Sequence, residues 1–379
     1  MKQAKLFTPG PTAVPTEILE TMARPLIHHR TEPFRDAHRE VIEGLQYIMQ
    51  TKNPVVLVTS SGTGAMEAAV VNMTQPGDKV LVTVNGKFSN RWSLIARRYG
   101  IETVEVDAEW GDPVTPDQVE RTLDDNPEIS VMFTTHSETS TGVLQDVAAF
   151  ARIAHDHDAL IVADGISSIV AHPVCVDEWG LDVMIGGGQK GVMIPPGLAY
   201  LSISPAAIAK MGAGRQPCYY FDLMAAIKSA ENGDTPYTPA ITLVLAMQQA
   251  VRMIREEGIE NVTARHAANA GAVRAAVTAL GLELFASTPS NAVTAARPPE
   301  GTAGEIVNTM EQKYGVKIAG GQAKLKGKII RLGHLGCYSR DDMQTMIGAL
   351  EGALVELGVT KEIGAGVDAL RRSYEESGS

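Results

Sequence analysis

Lys190 and Asp164 are the two residues whose settings point most directly to chemistry. The lysine lies in GGGQKGVMIPPG (186–197), held between the apolar runs LDVMI and LAYLSIS. The aspartate closes another apolar run in ALIVADGISS, 26 residues earlier. A lysine amine becomes a nucleophile only when neutral, and desolvation with nearby positive charge favours that form. An acid and a lysine at the ends of neighbouring strands face one crevice. Taken singly, each has an ordinary explanation, because turn aspartates and surface lysines are common at strand ends.

Pyridoxal phosphate is a cofactor that needs this pair. Its aldehyde condenses with a lysine amine, and its ring is an electron sink while the pyridine nitrogen stays protonated, which an adjacent carboxylate enforces. Other segments offer groups of the right kind. In TSSGTGAMEAAV, Ser61, Gly62 and Thr63 fall where a strand gives way to a helix, and their N–H groups and hydroxyls make a phosphate site. The same residues also read as an N-cap with glycines for packing. A G-x-G-x-x-G dinucleotide fingerprint is incomplete, since position 67 is Glu67.

Phe88, in VNGKFSNRW, can lie over a planar ring or serve as a core contact. Thr139 and Ser140, in THSETSTGVLQD, can hydrogen-bond a phenolic oxygen or phosphate, or form the turn before a helix near Asp146. Arg331, in IIRLGHLG beside His334, presents a guanidinium fork that matches a carboxylate with two parallel hydrogen bonds. The histidines and Arg30 of IHHRTEPF read as structural, because Glu32–Pro33 marks a helix start.

The elements that must position these groups alternate. VVLV (55–58), KVLVTV (79–84), ISVMFTT (129–135), ALIVAD (159–164), LDVMI (181–185) and LAYLSIS (198–204) are near-continuous apolar strands separated by helical patterns. This predicts an α/β three-layer sandwich around a mostly parallel sheet, with function in the loops beyond the strand ends. After about residue 240 a long helical stretch leads to shorter strands, LELF, AVTAA and KIIRLG, which predict a smaller α+β domain. The expected organisation is an arm at 1–15, a large domain at 16–257 and a small domain at 258–379. GVDALRRSYEESGS, at the end, reads as a solvated helix with a frayed terminus.

Composition narrows the function classes. A net charge of −11 argues against nucleic-acid or membrane-surface binding, which would require a basic stripe. Three scattered cysteines, Cys175, Cys218 and Cys337, give no zinc pair or disulfide framework and fit a reducing compartment. With no apolar leader and no run of about 18–20 apolar residues, the expectation is a cytoplasmic protein.

TPGPTAVP, SSGTGAMEA, NGKF…RW, HSETSTGVLQD, VADGISS, GGGQKG…PPG, TP at 238–239 and IIRLGHLG occur in the order found in class V aminotransferases of pyridoxal-phosphate fold type I. The chain resembles most closely the alanine–glyoxylate, serine–glyoxylate and serine–pyruvate aminotransferase group, which includes proteins labelled soluble hydrogenase small subunit. The resemblance runs over about residues 6–355. It implies Lys190 as the Schiff-base lysine, Asp164 on the pyridine nitrogen, and Ile166 and Phe88 on the two ring faces. Many relatives carry Trp or Tyr where Phe88 stands. It further implies Ser61, Gly62, Thr63 and Gln189 on the phosphate, with Thr238 and Tyr237 reaching that phosphate from the other subunit of a homodimer. Thr139 or Ser140 would contact the phenolic oxygen, and Arg331 the substrate carboxylate.

The implied activity is ping-pong transfer of an amino group from serine, alanine or glycine to glyoxylate or pyruvate. A lyase of the cysteine-desulfurase kind needs a cysteine upstream of Arg331, where GGQAKLKGKII has none. A non-catalytic, hydrogenase-associated subunit is disfavoured by the intact Asp164 and Lys190 and by the lack of clustered cysteines for an iron–sulfur centre.

Overall fold

The computed structural model describes residues 4–361 and 363–376. Seven strands, β1 (Val55–Val58), β2 (Lys79–Val84), β3 (Glu102–Asp107), β4 (Val131–Thr135), β5 (Leu160–Asp164), β6 (Val183–Gly187) and β7 (Ala199–Ile203), form one sheet. Their order is β1-β7-β6-β5-β4-β2-β3. Strands β3, β2, β4, β5 and β6 pair in parallel, whereas β7 is antiparallel to both β6 and β1. β1 therefore runs with the parallel set, and every strand except β7 ends at the same edge.

The apolar runs are continuous because both faces of the sheet are covered. Side chains alternate across each strand. Val131, Phe133, Val162 and Ile185 pack with Met66 and Trp92 on one side. Met132, Ile161, Ala163 and Met184 pack with Leu45, Phe150 and Val251 on the other. This gives the three layers expected from the sequence. Strand β3 lacks a continuous apolar run: Glu102, Glu105 and Asp107 interrupt its apolar residues, and acidic side chains suit an exposed sheet edge.

Gly258, at φ +85°, separates the helices Ile241–Glu257 and Ile259–Ala279. Beyond it, β8 (Glu283–Leu284), β9 (Val293–Arg297), β10 (Ala319–Gly320) and β11 (Ile330–Gly333) form an antiparallel sheet ordered β8-β9-β11-β10. Val273, Ile306, Leu332 and Leu350 build its core, which also takes in Phe7 from the N-terminal segment. That segment pairs Lys5–Leu6 with Val316–Lys317, and the Phe7 carbonyl accepts from Gly333 N–H at 2.7 Å.

The last helix differs from expectation. Ala365–Glu376 is docked, not solvated: Gly366, Ala369, Leu370 and Tyr374 form a buried stripe at helical spacing. Tyr374 Oη donates to Asn269 Oδ1 at 2.6 Å. The stripe was masked in the sequence by the charged residues between its members. Residues 377–379, the expected frayed end, lie outside the described residues. No helix among the described residues is long and apolar enough to cross a membrane.

Leu370→Ala should lower unfolding free energy by about 2–5 kcal/mol in denaturant titration, as for a core leucine. A solvated helix would hold the change within about 0.5 kcal/mol.

Candidate active site

The common strand edge assembles the site. β1 leads to Ser61, β2 to Phe88, β4 to Thr139, β5 ends at Asp164, and β6 leads to Gln189 and Lys190. A cavity of about 280 Å³ lies there, lined by Ser61, Gly62, Thr63, Phe88, Thr139, Asp164, Ile166, Gln189 and Lys190. Nine of the residues singled out from the sequence thus meet in one place.

Lys190 is only partly buried, and its Nζ donates to the Pro9 carbonyl at 2.5 Å. The N-terminal segment is stitched to this loop: Thr12 N–H donates to the Gln189 carbonyl at 3.2 Å, and Thr12 Oγ1 donates to the Lys190 carbonyl at 3.1 Å. Desolvation, then the positive charge of Arg331, pulls the Lys190 pKa down to about 8. Asp164 is buried, and desolvation pushes its pKa up to about 7 against the opposing hydrogen bond from Ile166 N–H at 2.8 Å. A carboxyl held this way gains most from a positive partner placed beside it.

Thr139 Oγ1 is hydrogen-bonded to Ser167 Oγ at 2.7 Å and lines the cavity. The Ser140 hydroxyl does not line it: it donates to Glu138 at 2.6 Å and accepts from Lys87 N–H at 2.9 Å. Arg331 is 3% exposed and also stands behind the lining. Its Nη1 donates to the Thr139 carbonyl at 2.9 Å and its Nε to the Gly320 carbonyl at 3.0 Å. Desolvation lowers its pKa to about 10.

Tyr237 and Thr238 line a different cavity, with Leu57 and Tyr220. The Tyr237 ring stacks on Tyr220 at 5.3 Å, and Tyr219 beside them is 83% exposed. Arg30 supports this loop by donating to the Thr235 carbonyl at 3.0 Å and pairing with Asp234.

Sequence reasoning missed Arg91, which lines the cavity, donates to Thr63 Oγ1 at 2.8 Å and lies 4.9 Å over the Phe88 ring. Its i+3 spacing from Phe88 on a helix was the available signal. Gly10, Pro11, Ser137, Ser167 and Pro196 also line the cavity, brought there by folding alone.

These residues fit pyridoxal phosphate. Gln189 Oε1 is buried without a hydrogen-bond partner, so the amide can turn its NH2, the donor a phosphate needs, into the cavity. The Ser61 hydroxyl makes no capping bond, and the first N–H groups of the helix Gly62–Met73 open at its N-terminus, where a phosphate binds. A Cβ on Gly62 would come within 2.3 Å of Ile166 Cδ1, so the space between them admits only backbone.

A nitrogen-group transferase built on a three-layer α/β frame is what the fold and these side chains define. The family model for class V aminotransferases matches residues 6–340, and the chain belongs to that family. It is a pyridoxal-phosphate-dependent aminotransferase of fold type I. The chain is 41% identical to the soluble hydrogenase 42 kDa subunit of Anabaena cylindrica, covering 97% of this chain and 98% of that one. It is 38% identical to an L-aspartate–glyoxylate aminotransferase of Paracoccus denitrificans, over 99% and 97% of the two chains. The ureidoglycine–glyoxylate aminotransferase structure from Bacillus subtilis superposes with a TM-score of 0.93, at 29% identity and 99% coverage of both chains.

In protein freed of cofactor, reductive methylation of Lys190 followed by mass spectrometry should reach half its maximal rate near pH 8. Below that pH the amine is protonated and inert. Arg331→Gln should move the midpoint upward, because it removes a cation that opposes protonation.

Proposed function

We propose that this chain transfers the amino group of a small amino acid, of the serine, alanine or glycine type, to glyoxylate or pyruvate. The observation that carries the proposal is Lys190, with its pKa lowered to about 8, facing the same cavity as buried Asp164. Glyoxylate as acceptor is supported by the names of the Paracoccus and Bacillus relatives.

When bound, pyridoxal phosphate supplies a carbonyl that takes up the amino group and a ring that delocalises negative charge. The chain supplies the rest. Ser61, Gly62, Thr63 and Gln189 would hold the phosphate, and Arg91 brings positive charge to that end through Thr63. Ile166 and Phe88 would confine the ring from its two sides. Asp164, as carboxylate, would keep a proton on the ring nitrogen. Lys190 Nζ, neutral near pH 8, is the group that takes a proton from the substrate Cα and returns it elsewhere. Arg331 would receive the substrate carboxylate by exchanging its bonds to the Thr139 and Gly320 carbonyls.

With Arg331 as the carboxylate fork and Arg91 committed to Thr63 and Phe88, short donors fit best. The name of the Paracoccus relative favours a second reading, a dicarboxylate donor such as aspartate. The same proposal assigns the arm to 1–15, the cofactor-binding domain to 16–257 and the smaller domain to 258–379, in a cytoplasmic homodimer. Exposed Tyr219 and Tyr220, both against the Tyr237 ring beside Thr238, support a second copy of the chain covering this surface. Tyr237 and Thr238 would then reach the phosphate of the opposite subunit, and Ser140 would act behind Thr139.

Mixing the purified holoenzyme with single amino acids should bleach the visible band with serine, alanine or glycine, and glyoxylate should restore it. Bleaching by aspartate alone would select the dicarboxylate donor, and no bleaching with any donor would refute amino transfer. Sedimentation should show a dimer; Tyr219→Asp with Tyr220→Asp should yield monomers with at least tenfold weaker cofactor retention.

A further inference from the structure

Glu138 belongs to none of the roles above, yet its carboxylate is completely buried. Its Oε2 accepts from the N–H groups of Phe88 at 3.0 Å and Ser89 at 2.7 Å. Its Oε1 accepts from Ser140 N–H at 3.0 Å and from the Ser140 hydroxyl at 2.6 Å. All four partners are donors, which is the arrangement an acceptor-only carboxylate satisfies. Taking such a group out of water is costly unless its hydrogen bonds are complete, and here they are.

The partners lie in two segments about fifty residues apart. The first is the start of the helix Ser89–Arg98, where Phe88 holds the N-cap position and makes no side-chain cap. Aromatic side chains cannot accept the orphan N–H groups of a helix start. With Phe88 turned to the cavity, the cap comes from elsewhere in the chain, as the negative charge of Glu138 placed against the positive end of the helix. The approach is close: a Cβ on Gly86 would lie 2.3 Å from Glu138 Cδ. The second segment is Glu138's own loop. There, Thr139 puts its hydroxyl in the cavity lining and its carbonyl on Arg331 Nη1.

We propose that Glu138 is a positioning residue for amino transfer, its buried carboxylate fastening the loop that presents Phe88 to the loop that presents Thr139 and anchors Arg331. The proposal rests on the function assigned to this cavity. A shift of Glu138 moves three groups together: the aromatic face, the Thr139 hydroxyl and the substrate-binding guanidinium.

The test compares wild-type, Glu138→Gln and Leu370→Ala holoenzymes. Glutamine keeps the shape but turns an NH2 group against N–H donors at one end of the tether. Glu138→Gln should lower kcat by about 10–100-fold, the scale of an ångström-sized misplacement. It should also halve, or more, the circular dichroism induced in the cofactor's visible band. Leu370→Ala, which loosens a remote core, should leave both unchanged. If Glu138→Gln does not accumulate as folded protein, Gly86→Ala presses on the same tether and should give the same two losses.

Turnover within twofold of wild type together with an unchanged dichroic band, in whichever variant folds, would overturn the proposal. Equal losses in Leu370→Ala would overturn it too, since they would report stability alone. A wild-type protein that takes up pyridoxal phosphate with no visible band at all would overturn the function itself, and this inference with it.

Discussion

A lysine amine taken partly out of water beside a guanidinium is the constraint from which the rest of the site follows. Desolvation and Arg331 both penalise the protonated form of Lys190, so the amine is half neutral already at about pH 8. Asp164 is pushed the opposite way by the same burial, toward holding its proton. The same burial therefore moves each group toward its neutral form, the carboxyl to about 7 and the amine to about 8. A cationic ring nitrogen beside Asp164 would return it to the carboxylate form, so the cofactor completes an electrostatic arrangement that the chain leaves strained without it.

Sheet topology makes that arrangement possible. Because β1 runs with the parallel set, the loops after β1, β2, β4, β5 and β6 open on one side. Each brings a different function: phosphate donors, an aromatic face, a hydroxyl, a carboxylate and the lysine. The N-terminal segment then joins this edge to the second sheet, bonding Gly333 at one end and the Gln189–Lys190 loop at the other. Lys190 and Arg331 come from different sheets, so this stitch contributes directly to the spacing between base and carboxylate fork.

Much of the site was legible in the sequence because its residues sit at the ends of strands with strong apolar signatures. Ser61, Phe88, Asp164 and Lys190 all follow such runs by zero to five residues. Glu138 stands out in no way from its motif, since a glutamate in a polar cluster has no local sign of burial. Arg91 carries only the weak signal of its i+3 spacing from Phe88, and an arginine on a helix has the same sequence context whether it faces water or a cavity. The docked C-terminal helix shows the same limit, as Leu370 and Tyr374 are flanked by arginines and glutamates.

The sequence by itself determined the period of the buried apolar strands, the order of the motifs and therefore the layered frame and the pyridoxal-phosphate chemistry. Those depend on nearest neighbours along the chain, which composition and spacing record. Only the tertiary structure decided which hydroxyl of the Thr139–Ser140 pair faces the cavity, that a carboxylate from one loop caps a helix in another, and that Arg331 rests on the Thr139 carbonyl. Those outcomes turn on which groups lose their water together. Desolvation depends on contacts between segments far apart in the chain, and no local spacing encodes it.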